Sequence, residues 1–347
     1  MSQYSPRPRP LGFYRWSFSS LFFLLLTLSS PGQQPTYKIA SIVVNVPATV
    51  HNKHGQIIRD LKKDDFVLQE DGHPREIRYF AQENDLPLTL GLLVDTSMSQ
   101  RRVLEDEREA SYAFLDRMLR QEDKAFIIHF DRESELLQDL TSDRQHLQSA
   151  LQDLHTPDPE SRRTGGGSWP GGGHRRGGWG GPGTVLYDAV FLASDELMKK
   201  QQGRKALLIL SDGVDTGSMV RLERAIEAAQ RADTIVYSIL FYDAQIYRAM
   251  GPFGGWGRHG GTGGFSRYPD GRNVLEQISN ETGGRLFEVS SKQPIASVYS
   301  QIADELRNQY NLGFAPGNDG LGYHKIQLKT RQKDLIVQAR SGYYKDR

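Results

Sequence analysis

The stretch Leu88-Thr89-Leu90-Gly91-Leu92-Leu93-Val94-Asp95-Thr96-Ser97-Met98-Ser99 decides how the rest of this 347-residue chain is read. Its first seven residues form a nearly continuous apolar run, the pattern of a strand covered on both faces in a parallel sheet. The run ends in an acid followed at the second and fourth positions by hydroxyls. On a loop leaving a parallel strand, Asp95, Ser97 and Ser99 can aim three oxygens at one point. Hard divalent cations take oxygen ligands, and Mg²⁺ keeps several waters beside one or two carboxylates. The same residue types also suit a helix N-cap, and a helical pattern follows. The stretch alone leaves metal and cap equally open.

Downstream, apolar runs and helical periodicity alternate. Ala125-Phe126-Ile127-Ile128-His129-Phe130, Ala206-Leu207-Leu208-Ile209-Leu210 and Thr234-Ile235-Val236-Tyr237-Ser238-Ile239-Leu240 read as strands, with a short one at 285–289 and an antiparallel edge strand at 135–140. Residues 103–119, 144–154, 185–199, 220–232, 273–282 and 295–309 read as helices. This order predicts an α/β fold: a doubly wound, mostly parallel, Rossmann-like sheet flanked by helices. The flanks differ in texture. Residues 33–85, with Ile39 to Val46, Phe66 to Glu70 and an Asp71-Gly72 turn, are β-rich, and so are residues 310–347. Each flank is too small to bury a core alone. We therefore expect them to pair into one small β-domain, with the α/β domain, 86–309, inserted between its halves.

At the N-terminus, Arg7, Arg9 and Arg15 precede the short apolar run Leu21–Leu28 and the small residues Ser29-Ser30-Pro31-Gly32. This is the order of a signal peptide, expected over 1–32, and the run is shorter than the roughly 20 residues a membrane span needs. The expectation is an exported chain, periplasmic, secreted or envelope-associated, with no transmembrane segment once the signal is cleaved. A retained membrane anchor is the alternative. Over the whole chain 43 Lys+Arg balance 42 Asp+Glu, which argues against a nucleic-acid binder. The absence of cysteine excludes disulfide scaffolds, thiolate zinc sites and cysteine nucleophiles.

Two further fragments bear on the Asp95 loop. Leu208-Ile209-Leu210-Ser211-Asp212-Gly213 places an acid at the end of another buried strand. Gly183-Thr184-Val185 places a hydroxyl where a loop enters a helix. Ligands of open α/β sheets gather beyond the carboxyl ends of the strands, where all three loops should lie. In order, spacing and strand context, Asp95, Ser97, Ser99, Thr184 and Asp212 resemble the metal-ion-dependent adhesion site (MIDAS) of the von Willebrand factor type A (VWFA) family, over residues 86–309. With Leu61 to Gly72 before it, and Tyr310-Asn311-Leu312-Gly313-Phe314-Ala315-Pro316 and Arg340-Ser341-Gly342-Tyr343 after it, the whole chain resembles the exported VWFA-related proteins of acidobacteria.

The resemblance implies a binding module. Asp95, Ser97, Ser99 and Thr184 would hold the ion, Asp212 would act directly or through water, and an acidic side chain of a partner protein, or a glycan, would complete the coordination. The expected ion is Mg²⁺, with Mn²⁺ or Ca²⁺ as alternatives. Asp188 is expected to serve as a hydrogen-bond acceptor beside its helix, and Asp215 as a turn residue or one that supports the ion's ligands, both outside the ion's contacts. Oligomeric state is unknown from sequence. Other classes fit less well. A dinucleotide site would need Gly-x-Gly-x-x-Gly where Asp95-Thr96-Ser97-Met98-Ser99 stands. A Mg²⁺-dependent hydrolase lacks an obvious general base, His129 lying within a strand; the chain is read as no enzyme. A structural envelope protein with a stabilising metal is the other alternative.

The glycines are concentrated. Nineteen of 35 fall in two loops, residues 165–183 and 251–264, together with three of the four tryptophans. Gly-rich segments adapt in shape, and Trp and Arg are favoured at interface hot spots. Trp169, Arg175, Arg176, Trp179, Trp256 and Arg258 are therefore expected to form a partner-binding rim around the ion.

Overall fold

The apolar and polar residues of the lead segment alternate because one face of each strand is buried. They form β1 (Val44–Asn52), β2 (Phe66–Glu70), β3 (His73–Arg75) and β4 (Ile77–Ala81). In this computed structural model residues 43–82, 86–101, 103–156, 183–241, 271–318 and 320–346 are described. The Asp71-Gly72 turn closes the β2–β3 hairpin with both residues at positive φ, 49° and 82°, the conformation a two-residue turn requires.

The alternating region follows. It comprises β5 (Leu88–Asp95), α1 (Leu104–Met118), β6 (Lys124–Phe130), β7 (Ser134–Thr141), α2 (Arg144–Gln152), α3 (Leu186–Leu192), β8 (Arg204–Ser211) and α4 (Leu222–Arg231). It continues through β9 (Ile235–Leu240), α5 (Gly271–Thr282), β10 (Leu286–Glu288) and α6 (Ile295–Arg307). The sheet order is β10-β9-β8-β5-β6-β7; every pairing is parallel except that of the edge strand β7 with β6. The helix expected over 185–199 ends its regular α portion at Leu192 and continues as a wider turn at Ala193–Leu197 and a tight one at Met198–Lys200.

Side-chain parity divides the core. Leu88, Leu90, Leu92 and Val94 point to one face and pack with Phe114, Leu115, Leu147, Leu151, Val298 and Ile302 of α1, α2 and α6. Leu93 points to the other, with Leu186, Val190, Ile226, Leu275 and Ile278 of α3, α4 and α5. The sheet is thus wound on both faces, which places the carboxyl ends of β5 and β8 side by side at one end.

The tail supplies β11 (Tyr310–Phe314), β12 (Gly322–Thr330), β13 (Leu335–Ala339) and β14 (Gly342–Lys345). Lead and tail strands interleave in two antiparallel sheets, β13-β1-β11-β4 and β14-β12-β2-β3. Val46, Phe66, Leu68, Tyr310, Leu312, Phe314 and Tyr343 form their shared core. The Tyr310 hydroxyl donates to Ile58 O at 2.9 Å and accepts from Leu61 N at 3.1 Å, pinning the β1–β2 connection to the tail.

The α/β unit is fastened to this β-domain through α6. Its Glu305 is fully buried, pairs with Arg285, lies 3.7 Å from His51 Nε2 on β1 and accepts from Gln338 Nε2 on β13 at 3.4 Å. Burial raises the Glu305 pKa, and Arg285 opposes the rise.

Gly91 sits at the middle of the central strand because its neighbours fill the space a side chain would need. A Cβ there would lie 2.3 Å from Phe126 Cζ and 2.5 Å from Leu207 Cδ2. Gly91→Ala should lower stability by about 1–3 kcal/mol through overpacking, measured by urea denaturation. An unchanged midpoint would show that the two flanking strands can part without cost.

Candidate metal centre

Asp95 is the last residue of β5 and has no exposed surface. Its Oδ1 accepts from Ser97 N at 2.9 Å, and its Oδ2 from Ser211 Oγ at 2.7 Å. Ser97 is extended, at φ −61° and ψ 163°, and opens the single tight turn Met98–Gln100. Its hydroxyl caps no helix; Ser97 Oγ lies 3.0 Å from Ser99 Oγ. Helix α1 begins later, after Val103, without a side-chain cap. Of the two readings open at this loop, the cap is therefore not the one realised.

Asp212 follows β8, and its Oδ1 accepts from Val214 N at 3.1 Å. The hydroxyl of Ser211 joins the two strand ends, donating to Asp95 and accepting from Gly213 N at 2.9 Å. Gly213 has φ +79°, and a Cβ there would lie 2.2 Å from Gly271 O. Only glycine fits, so the turn that aims Asp212 is fixed by both conformation and space.

Thr184 reaches the same end of the sheet. Its N–H donates to Thr216 Oγ1 at 3.1 Å, and its carbonyl accepts from Thr216 N and Gly217 N. Val185 N donates to Asp131 O just beyond β6. The Thr184 hydroxyl takes no hydrogen bond among the described residues. Asp188 accepts from Met219 N and Val220 N, and Asp215 from Tyr187 N and the Ser218 hydroxyl. These two acids are spent tying α3 to the loop after β8. The structure thus joins Asp95, Ser97 and Ser99 in one hydrogen-bonded group, holds Asp212 beside it through Ser211, and moors Thr184 to the Asp212 loop by main chain.

Burial pushes the Asp95 carboxyl up to about 7, and the nearby Asp212 charge adds to the rise; the Ser97 and Ser211 hydrogen bonds oppose it. Beneath lies Glu107 on α1, also buried, with neither carboxylate oxygen hydrogen-bonded. Burial raises its pKa well above the carboxylate range, and Asp95 contributes. No lysine or arginine pairs with Asp95, Glu107 or Asp212 among the described residues. Protons or a cation must therefore balance their charge. No cluster of three or more His, Asp or Glu side chains suited to a metal occurs among the described residues. The donor set here is two carboxylates and hydroxyls, hard oxygens that fit Mg²⁺, Mn²⁺ or Ca²⁺.

His129 lies on β6, where its ring nitrogens meet Thr96 Oγ1 at 3.1 Å and Glu135 at 3.3 Å. Glu107 escaped the sequence reading, although its helical register placed it on the same buried face as Leu104, Ser111 and Phe114. Trp169, Arg175, Arg176, Trp179, Trp256 and Arg258 lie outside the described residues, as does the signal segment 1–32. No helix among the described residues is long and apolar enough to cross a membrane.

Residues 90–214, from the central strand to the turn after Asp212, match the family model of the von Willebrand factor type A domain. Over these residues the α/β unit is similar to a domain of that kind. Among solved structures, a von Willebrand factor type A protein from Catenulispora acidiphila is 9% identical over 87% of this chain and 73% of its own, with a TM-score of 0.46. Proximal thread matrix protein 1 from the mussel byssus, solved with a zinc-occupied MIDAS motif, is 12% identical over 67% of this chain, with a TM-score of 0.44; the match spans 48% of the mussel protein. The vWF domain of the type V pili tip protein Mfa5 from Porphyromonas gingivalis is 12% identical over 63% of this chain and 94% of its own, with a TM-score of 0.42. No curated protein sequence matches the chain.

The raised Asp95 pKa gives a signed expectation. Its carboxyl ionises near 3.8 when unfolded and near 7 when folded. Between these values the folded state binds more protons, so in chelator stability is fully present below about pH 4 and declines as pH rises towards 7, by at most about 1.4 kcal/mol per unit. Asp95→Asn should flatten that slope in urea titrations across the interval. Equal slopes in the two proteins would mean that Asp95 is already ionised.

Proposed function

We propose that the chain is an exported, metal-dependent protein-binding module. A divalent cation, Mg²⁺ by preference, is held by Asp95, Ser97, Ser99 and Thr184, with Asp212 bound directly or through water. The observation that carries this reading is a buried carboxylate, Asp95, set beside Asp212 with no cationic side chain among the described residues to balance either. A cation held largely by neutral hydroxyls keeps enough charge to attract an acidic side chain from a partner. The zinc-occupied MIDAS motif of the mussel byssus protein is in keeping with such a site. Export rests on the basic, apolar and small-residue order of residues 1–32.

A binding role fits the surroundings better than hydrolysis. His129, the nearest imidazole to the loop in sequence reasoning, has both nitrogens engaged, with Thr96 and with Glu135. A water-activating base would need a free nitrogen aimed at the ion.

Calorimetric titration of Mg²⁺, Mn²⁺ and Ca²⁺ into the wild type and Asp95→Ala comes first. We expect at least about a hundredfold loss of cation affinity in the variant, near 2.7 kcal/mol. Pull-down from envelope extract should then yield a partner captured by the wild type with Mg²⁺ but not in chelator, and not by Asp95→Ala. Capture that survives both the chelator and the substitution would overturn the reading.

A further inference from the structure

At the end of the sheet opposite Asp95, the start of β8, the turn before β9, the end of α6 and strands β1 and β11 enclose a cavity of about 240 Å³. That is the space of about eight waters at roughly 30 Å³ each. Small-molecule sites favour such seams between substructures.

The walls carry opposite charges that face each other without touching. Lys205, on β8, is half-buried, and among the described residues its ammonium makes one long hydrogen bond, 3.4 Å to Gln201 O. Burial lowers its pKa, and the Asp233 charge partly restores it, so the two groups feel one another. Yet no ion pair within 4 Å joins them among the described residues.

Asp233 is itself an outlier. It sits just past α4 at φ 50°, a left-handed position where glycine is the usual occupant. An aspartate held there at a conformational cost suggests that its carboxylate is needed. Arg340 occupies one of its oxygens, at 2.5 Å, and the other has no hydrogen bond among the described residues. Pro47, Ile235 and Leu306 add an apolar wall.

We infer that this cavity binds a small zwitterion, a free α-amino acid, whose carboxylate meets Lys205 and whose ammonium meets Asp233. A simple anion would face the Asp233 carboxylate, and a simple cation would face Lys205 and Arg204. Only a molecule carrying both charges a few atoms apart satisfies both walls. The Pro47, Ile235 and Leu306 wall receives the side chain, and the volume admits leucine or glutamine.

The experiment is calorimetric titration of the full chain with L-leucine and L-glutamine, alongside N-acetyl-L-leucine and L-leucinamide, each of which lacks one charge. At least one free amino acid should bind, and each blocked derivative should bind at least about tenfold more weakly, near 1.4 kcal/mol. Lys205→Met should weaken binding by a similar factor while leaving Mg²⁺ titration unchanged. Asp233→Asn keeps a residue that tolerates positive φ and should do the same. Failure of both amino acids to bind, equal binding of the blocked derivatives, or undiminished binding by Lys205→Met would each overturn the assignment. None of these results depends on cation binding at Asp95, so the two sites stand or fall separately.

Discussion

One carboxylate, fully cut off from water at the end of the central strand, constrains everything around it. Removing a charge from water is costly unless partners or a counter-charge replace the lost solvation. Around Asp95 the partners are a main-chain N–H from its own loop and a hydroxyl from the neighbouring strand. They fix its orientation and leave its charge unbalanced. The turn at Gly213, the serine bridge and the mooring of Thr184 all bring further oxygens towards that point. The parallel pairing of β5 with β8 makes this possible, since it lays two loop starts side by side.

The flanking β-domain solves a different problem. Neither flank could bury a core alone, and their interleaving in two sheets produces one. The junction with the α/β unit is then polar as well as apolar. Glu305 on α6, Arg285, His51 and Gln338 meet inside it, and one carboxylate touches both substructures. Burial disfavours charge on His51 too, with Arg285 adding to the effect. Such a network opposes sliding of α6, because displacement would strand a buried charge.

Much of this was legible in the sequence. The four apolar runs without alternation marked the central strands, and the expected edge strand at 135–140 is the antiparallel β7. The β-rich flanks do pair, through Val44–Ala48 against Tyr310–Phe314 and Phe66–Glu70 against Ile326–Thr330. Asp188 acts as a hydrogen-bond acceptor, as its position suggested. Less legible was whatever depends on contacts between distant segments. Glu107 lay hidden as a polar residue on an apolar helical face, and periodicity counts such a residue as noise. The bond from Ser211 to Asp95 spans 116 positions, and the wider turn at Ala193–Leu197 arises within a run whose helical pattern is continuous. Of the strand expected at Ile39 to Val46, residues 39–42 lie outside the described residues, and the described part from Val44 pairs with β11.

The interleaving has a consequence for how the chain comes into being. Val44 finds its partner at Phe314 and Ala48 at Ala339, so the first strands emerge from the ribosome long before anything exists to pair with them. Until the last strands are synthesised, β1 and β2 offer unpaired edges and half an apolar core, the state most exposed to aggregation. The α/β unit, whose strands pair mostly with near neighbours in sequence, has fewer distant contacts to wait for. Biogenesis of this protein is therefore vectorial in the middle and suspended at its start, with the N-terminal strands locked in by the final forty residues.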